Sequence, residues 1–344
     1  MSLLDIWDYI RAAGDRRLRE QGYVASGMGI LERYKRATPF WAPHLERNRR
    51  NLLDVAARMG GETGGTLLIL GAGRLLDVSW EQLFPKFGRV VLVDADATIV
   101  PYVERMLSAS KTKVPKPEFE IGDLTASVVD LAAWAQHTIR SASSASAAAK
   151  SLIAGFDQAG TPQPQWARTY PDVRMIVSTN LVSQLGYFPR KHIQAEFKKR
   201  FNESFDKHAD AAKRLESYFD RVRARHLFDI AAHAKTWAYV STDVQIYTYE
   251  LDPSLTKDFL TKSLPPEAGA TLDENGRVKF AWQASLTQWE DPLNGQNVRD
   301  IWPKGTPLDP PQRWVWHIVP QGSEASYQKN GRLHVVEAWV KRGE

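Results

Sequence analysis

Two apolar runs joined through a glycine turn constrain this chain more than any other feature. Thr66-Leu-Leu-Ile-Leu70 leads into Gly71-Ala72-Gly73, and Val90-Val-Leu-Val-Asp94 leads into Ala95-Asp96. Short apolar runs bounded in this way read as buried strands of a parallel sheet. With a helix between them they make a βαβ unit. Glycine at the turn lets a ligand approach the backbone, and an acid at the tip of the next strand can grip ribose hydroxyls. A nucleotide-binding sheet therefore opens near residue 66.

The flanking pattern extends that unit. Residues 3–21 read as an amphipathic helix anchored by Leu4, Ile6, Trp7, Ile10 and Leu18. Pro39 breaks the next helical pattern. A second helix is expected from Pro43 to Gly60-Gly61, with Leu45, Leu52, Leu53, Val55 and Ala56 facing the core. After strand one (66–70) comes a helix over 77–84, strand two (89–94), a helix over 98–108, a short strand at 119–123 and a helix over 127–139. The Ser/Ala run 141–149 is either an exposed helix or a mobile insert. Strand four covers 173–178.

From Arg190 to Lys235 there is neither glycine nor proline, and Ile193, Phe197, Phe201 and Phe205 recur every four residues. Two long helices packed on the sheet are expected there. Strand five starts at 236 and extends toward Tyr249. Asp273-Glu-Asn-Gly276 is a hairpin turn ahead of a strand at 277–282. Strands at 313–319 and 333–340 are joined too closely for a helical crossover, so they pair antiparallel.

Composition narrows the classes of function. The 344 residues carry no cysteine, which removes disulfides, thiolate catalysis and cysteine–zinc sites. None of the eight histidines has metal-binding spacing with acids, so no metal is expected. The net charge of +5 is small for the length, and a mixed solvated surface explains it better than a nucleic-acid stripe. The first residues carry acids where a signal peptide needs bases, and no apolar run is long enough to span a membrane. A cytoplasmic location is expected, with no membrane partner. Seven of the 12 tryptophans follow residue 236; the alternation of Trp314, Trp316 and Ile318 marks one buried face of a strand.

The glycine turn discriminates between ligands. A dinucleotide fingerprint needs a third glycine where this chain has Leu76, and no Gly-Lys-Ser/Thr follows as a phosphate loop requires. Four segments instead resemble the motifs of class I S-adenosylmethionine-dependent methyltransferases, in order. They are Leu68-Ile-Leu-Gly71-Ala-Gly73, Val91-Leu-Val-Asp94-Ala-Asp96, Glu120-Ile-Gly-Asp123-Leu124 and Met175-Ile-Val-Ser-Thr-Asn180-Leu-Val-Ser-Gln184-Leu.

That resemblance implies an α/β, Rossmann-like fold. Its seven-stranded, mostly parallel sheet would end in a C-terminal antiparallel hairpin, with helices on both faces. The residue pattern, with no clean linker in it, gives an N-terminal helical cap over 1–62 and a catalytic domain over 63–344, with an insert at about 250–312. S-adenosylmethionine would lie against Gly71, Ala72, Gly73, Asp94, Ala95, Asp96, Asp123, Leu124 and Asn180. Asp94 would take the ribose hydroxyls and Asp123 the adenine amino group. Read without a ligand, Gly71 is a plain turn, Asp96 a helix N-cap and Asp123 a strand-end cap.

The amine-methylating signature Asp/Asn-Pro-Pro-Tyr/Phe is replaced here by Ser-Thr-Asn180-Leu-Val-Ser-Gln. No catalytic base stands in its place, and Tyr187 and His192 are the nearest candidates. Ser183 and Gln184 after strand four, with Tyr34, Trp41 and His44 of the cap, are the expected substrate contacts. The substrate is expected to be a small molecule or a protein side chain. Two alternatives stay open: an RNA methyltransferase, and a non-catalytic S-adenosylmethionine-binding protein.

Overall fold

The computed structural model describes residues 16–60, 63–171, 173–254, 270–281 and 283–343. The expected helical anchors Leu4, Ile6, Trp7 and Ile10, the strand end Trp282 and residues 255–269 of the 250–312 stretch lie outside the described residues. The first elements are α1 (Arg16–Glu20) and α2 (Tyr23–Arg58).

α2 corrects the expected break at Pro39. The helix runs through both Pro39 and Pro43, and only Ala37 leaves helical geometry (φ −119°, ψ 22°). Proline removes one backbone donor and crowds the turn before it. Here Thr38 Oγ1 donates to the Tyr34 carbonyl at 2.8 Å and lies 3.4 Å from that of Lys35, so the kink is absorbed without ending the helix.

The sheet begins with β1 (Thr66–Leu70), α3 (Trp80–Leu83), β2 (Arg89–Asp94), α4 (Ile99–Ala109) and β3 (Glu118–Ile121). Next come α5 (Val128–Ser141), α6 (Ala145–Gln158), α7 (Gln165–Thr169) and β4 (Val173–Thr179). The Ser/Ala run enters α6. Ser144 caps it by accepting from Ala147 N, while Ala148, Ala149, Leu152 and Phe156 are buried. Two helices, α8 (Tyr187–Phe201) and α9 (Ala209–His233), fill the stretch free of glycine and proline.

The long β5 (Ala234–Leu251) follows. β6 (Ala270–Leu272) and β7 (Val278–Phe280) make a small hairpin. Then come β8 (Ala284–Glu290), α10 (Val298–Ile301), β9 (Gln312–Val319) and β10 (Gly331–Arg342).

The fold is α/β with a mixed sheet. Its order is β3-β2-β1-β4-β5-β10-β9, and β8 pairs with the far half of β5 as an eighth strand. β1 to β5 run parallel; β8, β9 and β10 pair antiparallel. The sequence pattern missed β8, most of whose residues are exposed, so burial imposes no alternation on it.

Alternate sheet residues feed two cores. Leu68, Leu70, Val91, Val93 and Ile176 pack with α5, α6, α8 and α9. Leu67, Ile69, Val90, Leu92, Met175 and Val177 pack with α2, α4 and the tryptophans of β9. Helices thus cover both faces, and α2 ends up across the C-terminal tips of the parallel strands. Among the described residues, no helix is long and apolar enough to cross a membrane.

Candidate active site

The tips of β1, β2 and β4 open into a cavity of about 240 Å³ roofed by α2. This is where open parallel sheets bind ligands, because the connections after the adjacent strands β1 and β4 leave toward opposite faces there. Of the residues singled out in sequence, Trp41, His44, Gly71, Ala72, Gly73, Asp94, Ala95, Asp96, Asp123, Leu124, Asn180 and Gln184 line it.

Gly71 turns the chain with φ +66°, and a Cβ there would meet Leu181 at 3.1 Å. The backbone N–H groups of Gly71 and Ala72 both donate to the Val93 carbonyl, at 2.9 and 3.2 Å. Gly73 N donates to Asp94 Oδ2 at 2.7 Å, and Asp96 N donates to Asp94 Oδ1 at 2.7 Å. The turn is therefore tied to β2, and these three N–H groups are not left as an anion cradle. Each carboxylate oxygen has more than one acceptor site, so Asp94 keeps capacity for ligand hydroxyls. Burial pushes the Asp94 carboxyl up to about 6, against the stabilising backbone donors of Asp96 and Gly73.

Asp96 and Asp123 serve their own loops. Asp96 Oδ1 accepts from Thr98 N and Oγ1, and Arg74 Nη2 lies 3.3 Å from Oδ2. The Arg74 guanidinium also donates to the Thr98 carbonyl and covers the Tyr102 ring. Asp123 accepts from Thr125 N at 2.8 Å and from Val129 N at 3.0 Å, which ties the β3 tip to the start of α5. Leu124 is held by its carbonyl, which accepts from Trp166 Nε1 at 3.0 Å.

At the β4 end, Asn180 adopts the left-handed conformation (φ +52°). Its backbone N–H donates to the Ser241 carbonyl, and its Nδ2 donates to Asp77 Oδ2 at 3.1 Å. His44 Nε2 lies 3.2 Å from the same amide. His44 Nδ1 accepts from Trp314 Nε1 at 3.0 Å, and its ring stacks on Trp316. Burial pulls this imidazole down to about 3, and it stays neutral.

Four of the expected residues stand apart from the cavity lining. Tyr187 is 44% exposed at the start of α8, beneath the Lys191 ammonium. His192 is half-buried on the same helix, near Glu196 and the Glu20 backbone. Ser183 donates to Asp243 Oδ2 at 3.3 Å. Tyr34 packs against Trp41.

Asp77 went unnoticed in the sequence as a site residue, where it only opened a helix. It lines the cavity, and burial pushes its carboxyl up against the hydrogen bonds from Thr179 and Asn180. Arg74 and the α2 residues Tyr23 and Gly27 were also missed. A Cβ at Gly27 would stand 2.0 Å from Asp96 Oδ2, so this glycine lets α2 descend onto the β2 tip. Spacing gives no signal for such a contact, which is 69 positions away in the chain.

No family model matches the chain, and no curated protein matches it. Solved structures do. Magnesium protoporphyrin IX methyltransferase from Synechocystis PCC 6803, with bound SAH, is 9% identical. The match covers 96% of this chain and 100% of that one at a TM-score of 0.38. TehB from Haemophilus influenzae is 9% identical over 86% of this chain and 62% of that one, at 0.35. The DhpI-SAM-HEP complex is 15% identical over 94% and 99%, at 0.31.

Proposed function

We propose that the chain is an S-adenosylmethionine-dependent methyltransferase acting on a small molecule or a protein side chain. One observation carries this reading. The cavity presents Asp77, Asp94, Asp96 and Asp123 against the single guanidinium of Arg74, which is already engaged by Asp96 and Thr98. A pyrophosphate would meet repulsion here, and the Gly71, Ala72 and Gly73 N–H groups that could cradle it are taken. A nucleoside with a cationic centre and no phosphate fits the same lining.

The bound cofactor would supply an electrophilic methyl group on a sulfonium. The residues that would hold it are Gly71, Ala72, Gly73, Asp94, Ala95, Asp96, Asp123, Leu124 and Asn180. Asp94 would accept from ribose hydroxyls through lone pairs that the loop leaves free, as charge-assisted bonds. Ala95, Leu124 and Val128 would pack on the base. α2 would exclude water from above. Trp41, His44 and Gln184 would wall the substrate side, where positioning in near-attack geometry supplies much of the catalysis.

The experiment is a calorimetric panel of S-adenosylhomocysteine, NAD and ATP on the same preparation. Binding of S-adenosylhomocysteine alone supports the reading. A preference for either phosphate-bearing ligand overturns it.

A further inference from the structure

We propose that Asp77 is the catalytic base of the transfer and that the acceptor is an amine nitrogen, bound between Asp77 and the aromatic wall of Trp41, His44 and Trp316. The proposal rests on the methyltransferase reading and names the substrate class of that site.

The four cavity carboxylates differ in what occupies them. Asp94, Asp96 and Asp123 each accept from backbone N–H groups that fix the β2 and β3 tips. Asp96 is also paired with Arg74. Asp77 stands at the opposite end, held by the side chains of Asn180 and Thr179 and by its own backbone N–H. Among the described residues it forms no ion pair. The cation that acts on it, Arg49, donates to the Leu76 carbonyl. Neutral side-chain donors keep a carboxylate oriented without neutralising it.

The surroundings select the acceptor. Trp41 and Trp316 meet edge to face, and His44 lies flat on Trp316 as a neutral ring. Aromatic walls beside a carboxylate attract an ammonium and repel an anion. An amine arriving protonated must lose one proton before it can attack. A carboxyl shifted above its ordinary range is the better match for that proton. In the transfer, the nitrogen lone pair becomes the nitrogen–methyl bond and sulfur keeps the pair of the bond that breaks. Asp77 takes the single proton that the ammonium loses before attack and passes it to water, and the methylated nitrogen leaves as an ammonium.

Sinefungin tests this without turnover, because an amine-bearing carbon replaces the methyl-bearing sulfur at the point of transfer. On the full chain, calorimetry should find sinefungin bound at least about tenfold tighter than S-adenosylhomocysteine at pH 8. Asp77→Asn should bring the two within about threefold while leaving S-adenosylhomocysteine affinity nearly unchanged.

A preference that survives Asp77→Asn overturns the proposal. So does loss of both ligands together in a variant that melts like wild type, which would make Asp77 part of the cofactor cradle. If wild type binds neither ligand, the methyltransferase reading itself fails, and the base falls with it.

A second arm needs no variant. The wild-type preference should shrink as pH falls and Asp77 takes a proton. Arg49 and Tyr239 act on that carboxylate, and His44 contacts the Asn180 amide that holds it; burial keeps Tyr239 and His44 neutral across this range. Asp94 titrates too, but it meets the ribose of both ligands and cancels in the ratio. A preference independent of pH from 8 down through the ordinary carboxylate range also overturns the assignment.

Discussion

The Trp314 indole donates to His44 Nδ1 at 3.0 Å while the His44 ring lies parallel to Trp316 with centroids 4.1 Å apart. One bond orients the ring and the other contact sets its plane. Together they hold a neutral imidazole at the mouth of β4. His44→Phe keeps the stack and strands a buried indole N–H. It should cost about 1–3 kcal/mol in urea unfolding. His44→Phe with Trp314→Phe should cost clearly less than the two single changes summed, because no unpaired donor is left. Strict additivity would show that the bond contributes nothing.

His226 gives a stability signature with a definite sign. Burial pulls its imidazole down to about 4. Between pH 6.5 and 4 the unfolded chain therefore binds a proton that the fold refuses. Its contribution is complete above pH 6.5 and is lost as pH falls. Wild type should lose about 1.4 kcal/mol per pH unit across that window relative to His226→Gln. Parallel pH profiles for the two proteins would contradict the buried neutral imidazole.

Asp94 acts in the opposite direction. Its carboxyl is pushed up to about 6, so the fold takes a proton before the unfolded chain does. The contribution is full below the ordinary carboxylate range and is lost as pH rises through 6. Relative to Asp94→Asn, wild type should gain stability on acidification from pH 7 to 4, by about 3 kcal/mol at most. A site that penalises its own carboxylate at neutral pH is built for a ligand rather than for stability. Chemical denaturation at four pH values measures the difference.

Two glycines of α2 separate packing from propensity. Nothing stands within 4 Å of a Cβ added at Gly29, whereas one added at Gly27 would overlap Asp96 Oδ2. Gly29→Ala should stabilise the helix by up to about 1 kcal/mol. Gly27→Ala should push α2 off the Asp96–Arg74 pair, lowering both the melting temperature and affinity for S-adenosylhomocysteine. Equal effects of the two changes would remove α2 from the cavity roof.

How far the chain could be read depended on burial. β1 and β2 are apolar on both faces, and their ends fall where the glycine and the acid stand. α2 was split at Pro39 because sequence carries no sign that Thr38 will bond the preceding turn. β8 was invisible because solvent imposes no pattern on it. Within the site, strand-tip residues such as Asp94 and Asn180 were legible, since topology alone brings them together. Asp77 and Gly27 were not, because their importance comes from what crosses them in space. Tyr187 and His192 follow β4 closely in sequence, but α8 carries both away from the cavity lining.

The most direct measurement is calorimetric titration of S-adenosylmethionine and S-adenosylhomocysteine into wild type and into Asp94→Ala. Micromolar binding to wild type, weakened at least about tenfold in the variant, is the predicted result. No binding to a wild-type chain that melts cooperatively would contradict the account, as would an Asp94→Ala variant that binds both ligands equally well.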